Sequence, residues 1–546
     1  MDFDDILKKI GEFGPYQKRT LALLSITWII ISPVMIYSVF GVATPDHRCG
    51  IPDFDNDTYR VQNSQHQELI QKYIPIGPDG LYDKCHMYRF NQSTRSVLND
   101  SGTLEECSSW VFDKTLFDET IVTKMNLVCK EKYKASLSKT IFFGGVLVGS
   151  FLFGLLSDVL GRRFALLIAL LIVFASNMAM AWAGNFATFV ILYMCAGAGV
   201  VGIFMTSYVL GMEWVGFSKR IFAGCVVPLI GPLGEMYLIL ISYLTRTWHW
   251  MAIFSAIPFG LYIILWWFIP ESPRWLCGKN RKKDAAILLK KAAEWNHTEF
   301  SPEILDNIAP KEKEAGKVWL LFSDRKLGLR TAIIFYNWLA VCMVFYGLDL
   351  NTAMLYGNFY INFLIFVLLE FTGNILPLFT INRFGRKRSY VFYTTVGGLS
   401  CLSTILTVNY LGKDLQILTT VLAMIGMLFN TAGFATLYIF SAEIFPTVVR
   451  NVGMGTSSSW ARVGAMISPF IAETRHLVYG STGVAIPLVI FGGACLIGAG
   501  LSLFVPDTRN KMMPETIEDG KNFTMKIVLG KKKNMQDNEE NATTNF

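Results

Sequence analysis

The sequence predicts an all-α membrane protein: twelve transmembrane helices in two pseudo-symmetric six-helix halves, with a disulfide-bearing extracellular loop domain. Three observations predict it. The 546 residues are 52% hydrophobic and only 17% charged, against about a quarter charged in soluble domains. Apolar runs near the roughly 18 residues needed to cross a ~30 Å hydrocarbon core recur along the chain. Three short motifs also recur in order, at offsets of 224, 230 and 236 residues (Gly161 to Gly385, Glu213 to Glu443, Pro270 to Pro506).

Residues 1–20 are polar, with Asp2, Asp4, Asp5 and Glu12 among the bases, and predict a cytoplasmic N-terminus rather than a cleavable signal. The first transmembrane helix is 21–43. Spans two to six fall within 137–269, at Thr140–Ser157, Phe164–Ala183, Phe186–Leu210, Ile221–Leu244 and Trp248–Ile269. Spans seven to twelve fall within 331–505, at Thr331–Leu348, Gly357–Ile381, Ser389–Leu411, Leu415–Ala442, Val452–Ala472 and Thr482–Val505. Three spans hold one charge each: Glu235 in the fifth, Glu370 in the eighth and Arg462 in the eleventh. Twelve buried helices of a soluble protein would need polar faces that these runs lack.

Lysine and arginine concentrate in alternate loops: Arg162 and Arg163, Lys219 and Arg220, the segment 270–330, Arg383 to Arg388, and Arg450. The positive-inside rule then makes both termini cytoplasmic and puts loop 44–136 outside. That loop carries Cys49, Cys85, Cys107 and Cys129, with glycosylation sequons at Asn56, Asn91 and Asn99. Two disulfides are expected in an oxidising exterior, in any of three pairings; the spacings fit no zinc finger or ribbon. The other cysteines lie in spans or on the inner side, as free thiols. Segment 270–330 alternates charged and apolar residues, as in KKDAAILLKKAAEW, and predicts amphipathic helices on the cytoplasmic face. The tail 506–546 is polar, disordered after about Phe523, and its sequons at Asn522 and Asn541 should be unused. The net charge of +7 resides mostly in loops and does not indicate nucleic-acid binding.

The recurring motifs sit at matching inner loops. GLLSDVLGRRF matches INRFGRKRS, EWVGFSKR matches EIFPTVVR, and IPESPRW matches VPDTRN. Six spans were therefore copied once. Two parallel six-helix repeats are a transporter architecture, with the solute site between them near the midplane. The inner-loop charges Asp158, Arg162, Arg163, Glu213, Arg220, Arg386, Glu443 and Arg450 form a candidate cytoplasmic gate, with Asp158 pairing Arg162 and capping a helix. The plainer reading is that the bases only fix topology. The second copy has Asn382 and Arg383 but no acid in the corresponding turn, so its latch is weaker.

GLLSDVLGRRF resembles the loop motif G-x-x-x-D-x-x-G-R-R of the major facilitator superfamily. ATPDHRC, ETIVTKMNLVC, WWFIPESPRWL and AEIFPTVVRNVGMG together resemble solute carrier family 22, the organic cation, carnitine and organic anion transporters. GEFGPYQKR, YIFSAEIFPTVVRNVGMG and MPETIEDGKNF look most like the insect organic cation transporter proteins. The resemblance covers almost the whole chain. It implies the major facilitator fold and a polyspecific plasma-membrane carrier of organic ions working by alternating access.

A carrier of flat organic ions needs apolar walls with π-faces and a few placed charges. Trp338, Phe345 and Tyr346 in span seven are spaced to share one helix face. Tyr37, Tyr237, Tyr438 and Phe440 are further candidates; helix-to-helix packing is the plainer role for each. Trp338 and Phe345 sit where family members place cavity aromatics. A charge at mid-bilayer costs about 2.5–3.5 kcal/mol on insertion scales. Arg462 should therefore face a watery chamber or a partner, with Glu370 the obvious counter-ion, and a purely structural ion pair the alternative. Glu235 is a further cation-attracting or protonatable group, or else sits protonated and silent. In the family, cation carriers usually place an acid where Arg462 stands, while anion and carnitine carriers place an arginine. Anion exchangers often add a lysine near Asn374, which this chain lacks. A guanidinium fork for a carboxylate, with Glu370 and an aromatic wall facing a quaternary ammonium, suits organic cations and zwitterions such as carnitine. An organic anion exchanger is the close alternative.

The chain has neither G-x-x-x-x-G-K-[ST] nor H-E-x-x-H, and its six histidines form no metal-like pair. No enzymatic activity, cofactor, metal or nucleic-acid partner is expected. The expected partners are small organic ions, the lipid bilayer and a coupling ion: sodium, a proton or an exchanged organic anion. A non-transporting receptor would need neither the duplication nor the charges within the spans.

Overall fold

A computed structural model describes residues 3–521 except 53, 55, 78–79, 81, 92–95, 98–103, 221–222, 225–226, 306–317, 353–354, 411–415, 478–481, 510–513 and 515. The sequons at Asn99, Asn522 and Asn541, the side chain of Asn91 with the rest of its sequon, and the thiol of Cys225 lie outside the described residues. The chain divides into two units.

The first unit holds helices α1 (Pro15–Gly41), α2 (Tyr133–Leu160), α3 (Arg162–Met180), α4 (Phe186–Trp214), α5 (Gly231–Thr245) and α6 (Trp248–Leu265). The second holds α7 (Arg325–Asn351), α8 (Phe359–Phe384), α9 (Arg386–Tyr410), α10 (Gln416–Ile444), α11 (Arg450–Glu473) and α12 (Thr482–Ser502). Local signals set their ends. Pro15 opens α1, where its missing N–H costs nothing. Asn185 caps α4 by accepting from Thr188 N, and Asn358 caps α8 by accepting from Tyr360 N.

Among the described residues, eleven helices are long and apolar enough to cross a membrane. The remaining one of the twelve, α11, is long enough at 24 residues, but serines, a threonine and two arginines dilute its apolar character. Several helices outrun their apolar runs: α7 starts at Arg325, six residues before Thr331, because Asp324 caps it. In the fifth span a single-turn 3₁₀ helix at Pro228–Ile230 leads into α5.

The segment between α1 and α2 is a small domain. β1 (His47–Cys49) pairs antiparallel with β6 (Trp110–Phe112), β2 (His86–Tyr88) with β5 (Leu104–Glu106), and β3 (Phe90–Asn91) with β4 (Ser96–Val97). A helix, Ser64–Tyr73, packs Ile70 and Tyr73 onto Ile51, Met87 and the cysteine core. The disulfides are Cys49–Cys107 and Cys85–Cys129, which settles the pairing left open by spacing. Asp57 is buried and accepts from Arg48 Nη1 (3.0 Å), Ile51 N (2.9 Å) and His66 Nε2 (3.0 Å). Burial alone would raise its carboxyl; the Arg48, Ile51 and His66 contacts outweigh that and hold it below the usual range.

The expected amphipathic helix is Lys282–Trp295, burying Ala285, Leu289, Ala292 and Ala293 on one face. The segment before α1 wraps onto it. A short helix, Phe3–Lys9, buries Phe3, Ile6 and Leu7, and Asp4 takes Arg220 at 2.5 Å and Arg274 at 3.4 Å. The Asn296 amide donates to Ile10 O (2.7 Å) and Gln17 Oε1 (2.8 Å), and its oxygen accepts from Tyr16 N (3.1 Å).

Candidate functional site

Two glycines set the helix crossings beside the buried charges. A Cβ at Gly464 of α11 would collide with the Leu339 carbonyl oxygen of α7; one at Gly234 of α5 would collide with that of Ile29 in α1. The two are 230 residues apart, the same offset as Glu213 and Glu443, so each half carries one copy of the same close approach. Only a missing side chain lets the backbones meet there.

In the second unit this crossing lays Arg462 against α7. Its guanidinium has the Cys342 thiol, Tyr346 and Tyr438 as electrostatic neighbours. Nε is buried with no hydrogen-bond partner, and among the described residues no carboxylate lies within ion-pair distance of Arg462. The aromatics gather close by. The Trp338 ring stands edge-on to Tyr438 at 4.4 Å, and its indole N–H donates to Ser441 Oγ at 2.9 Å. Phe345 lies 5.3 Å from Tyr346 and 6.2 Å from Phe434, whose ring is 5.4 Å from Tyr438. Phe434 and Cys342 were not foreseen. Phe434 sits one turn before Tyr438, a spacing that signals a shared face; a thiol in an apolar run carries no such signal.

Glu370 is half-buried on α8, where Asn374 Nδ2 donates to its backbone carbonyl at 3.1 Å, and it forms no ion pair with Arg462. Phe440 is buried and stacks on Tyr390 at 6.3 Å. In the first unit, Tyr37 is fully buried, donating to Trp248 O at 2.8 Å, and Tyr237 donates to Phe254 O at 3.0 Å. Glu235 is buried next to the Gly234 crossing.

The predicted gate residues form a cluster at each repeated turn. Between α2 and α3, Gly161 has φ +101°, and Arg162 reaches Asp158 at 2.9 Å and both Glu213 oxygens at 3.2 Å. Arg163 lies over the Trp266 ring at 4.2 Å. Glu271, absent from the predicted set, accepts from the backbone N–H groups of Arg162 (3.0 Å), Arg163 (3.2 Å) and Ser272 (2.8 Å), so a carboxylate from beyond α6 caps α3. Burial pushes the Glu271 carboxyl above its ordinary value in spite of those three donors. Arg220 turns instead to Asp4. Between α8 and α9, Gly385 has φ +94°, Arg386 pairs with Glu443 at 3.0 Å, and Thr508 donates to the same carboxylate. Asp507 takes the place of Glu271, its Oδ2 lying 2.9 Å from where a Gly385 Cβ would stand. Arg450 donates to Phe445 O at 3.3 Å, and its Nη2 is buried without a partner.

Comparison with known proteins agrees on the kind of molecule. Residues 91–518 match the family model described as "Sugar (and other) transporter". The chain is 36% identical to the organic cation transporter protein of Drosophila melanogaster, over 100% of this chain and 98% of that one. It is 32% identical to organic cation/carnitine transporter 2 of Homo sapiens (95% and 93%), and 30% identical to human solute carrier family 22 member 7 (95% and 96%). The inward-open structure of the xylose transporter XylE from E. coli shares the fold, with a TM-score of 0.59 at 17% identity over 92% of this chain and 100% of that one.

Proposed function

Because this chain belongs to the sugar (and other) transporter family, among the organic ion carriers of solute carrier family 22, we propose that it carries small organic ions across the plasma membrane by alternating access. The favoured substrates are organic cations and zwitterions such as carnitine. The carrying observation is Arg462: a permanent charge halfway along α11, with a buried, unpartnered Nε and aromatic rings around it. Without a protein carboxylate, that guanidinium is best matched by a carboxylate on the solute, which its fork binds bidentately. Trp338, Phe345, Phe434 and Tyr438 supply the π-faces for a cationic or flat body. Glu370 supplies the opposite charge on a different helix, so a zwitterion can address both.

The remaining assignments belong to the same reading. Both termini are cytoplasmic and the disulfide-bearing domain is extracellular, in keeping with the alternation of basic loops and with two disulfides that persist in an oxidising compartment. Asn56 is exposed there and available to a glycan. The Arg162 and Arg386 clusters are the gate, and a sodium, proton or organic-anion gradient drives the cycle. The molecule is a carrier and not an enzyme. Organic anion exchange is the second reading, favoured by the same guanidinium.

Uptake of carnitine, tetraethylammonium and para-aminohippurate by cells expressing the chain, with and without sodium, tests this directly. Arg462→Ala should abolish carboxylate uptake at unchanged surface expression and spare tetraethylammonium. Glu370→Gln should weaken tetraethylammonium uptake first. Loss of surface expression in Arg462→Ala would assign the arginine to folding instead.

A further inference from the structure

The first unit contains a cavity. Its volume is about 460 Å³, within the range that holds a small organic molecule. It lies where the small disulfide-bearing domain meets the start of α2 and the α3–α4 turn. Trp110 and Phe186 give it aromatic walls, and Lys124, Lys134 and Glu131 line it, for a net charge of one positive. Lys134 pairs with Glu131 and holds its ammonium 5.8 Å above the Phe186 ring; Lys124 reaches Glu119 at 3.4 Å. The Trp110 indole Nε1 is buried without an acceptor among the described residues. Gly184 borders the cavity, and a Cβ added there would meet nothing within 4 Å.

We propose that this cavity is a binding site for an amphiphilic organic monoanion, a carboxylate or sulfonate on an aromatic body, separate from the Arg462 site. The ring lies against Trp110 and Phe186, and the anionic head meets Lys134 and Lys124. Glu131 opposes a second negative charge and so selects monoanions over dianions. Nothing in the reading of Arg462 is needed for this. The cavity belongs to the other unit and is defined by its own walls.

Amine acylation of the purified full chain, read lysine by lysine by mass spectrometry, tests it with para-aminohippurate as the probe. Saturating probe should slow acylation of Lys134 and Lys124 about fivefold, the scale of one partly exposed charge contact. Gly184→Leu, which fills the open space, should remove the protection. Lys124→Gln should raise the probe concentration needed and Glu131→Gln should lower it, two opposite shifts that a general loss of folding cannot produce. Arg462→Ala should leave the protection intact even where carboxylate uptake is gone. An unprotected Lys134 in the wild type overturns the proposal. So does protection that survives Gly184→Leu, shifts of the same sign in Lys124→Gln and Glu131→Gln, or protection lost with Arg462→Ala, which would place the probe elsewhere.

Discussion

The α2–α3 and α8–α9 turns descend from one ancestral segment and have diverged in how they hold their arginine. Both keep a glycine in the left-handed region, Gly161 and Gly385, and both keep an arginine next to it bound to a glutamate 51 or 57 residues on. The first turn adds one acid, Asp158 on the arginine, and its Glu271 binds the backbone N–H groups at the start of α3, where the second turn has Asp507. The second has Asn382 in place of Asp158 and supports its glutamate with the Thr508 hydroxyl. The third repeated base differs as well: Arg220 has Asp4, while Arg450 has a buried Nη2 with no partner. Duplication preserved the backbone geometry of the turn. The surrounding charges were free to change, because several arrangements satisfy one guanidinium.

The difference can be broken experimentally. Arg162→Ala should have the largest effect, about 3–5 kcal/mol, because it strands Glu213, whose side chain is 14% exposed. Arg386→Ala should cost less, about 2 kcal/mol, since Thr508 still binds Glu443. Thermal unfolding of the purified variants in detergent ranks the two. Alanine at Gly161 or Gly385 comes next, about 1–3 kcal/mol for a β-carbon forced to positive φ. Gly161 should be the worse, because its Cβ would come closer to the Glu271 carboxylate than one at Gly385 would to Asp507.

The third comparison uses pH. Glu271 has a folded value raised above its ordinary 4.5, so between 4.5 and that value the unfolded chain binds fewer protons than the folded one. Its contribution to stability is complete below 4.5 and is lost as pH rises through the folded value. Glu271→Gln should flatten that fall in a melting-temperature series across mildly acidic pH. The smallest effect is at Asp158, 73% exposed in its pair with Arg162. Asp158→Asn should change stability by no more than about 0.5 kcal/mol. Asn382→Asp should move the second turn as little in the opposite direction. A loss of uptake in Asp158→Asn at unchanged melting temperature would make that carboxylate a moving part of the gate instead of a prop.

The halves, the loop domain and both arginine turns were legible because each leaves a mark in composition, spacing or repetition. The disulfide pairing was not, since four cysteines in one loop carry no record of which strands approach. Glu271 shows the limit of motif reading. IPESPRW and VPDTRN were visible as a repeat, but a matching letter does not reveal a bond to a backbone 109 residues away. Glu370 was expected beside Arg462 because opposite charges in oil seek each other; the α7–α11 crossing at Gly464 instead seats the guanidinium against Cys342 and Tyr346. Phe440 and Phe434 illustrate the reverse difficulty. In a helix that is apolar all round, periodicity cannot say which ring turns toward which neighbour.

The Asn296 amide has a consequence for how the molecule is made. The bond it accepts from Tyr16 N spans 280 residues, and the Asp4 contact with Arg274 spans 270. At ribosomal speeds of about 5–20 residues per second, the leading segment waits roughly 15–55 s for its anchors to be synthesised. The first half is thus closed by its own last-made stretch, before α7 exists. Stalled nascent chains ending short of Asn296 should be clipped by protease ahead of Pro15, and those ending beyond it should resist.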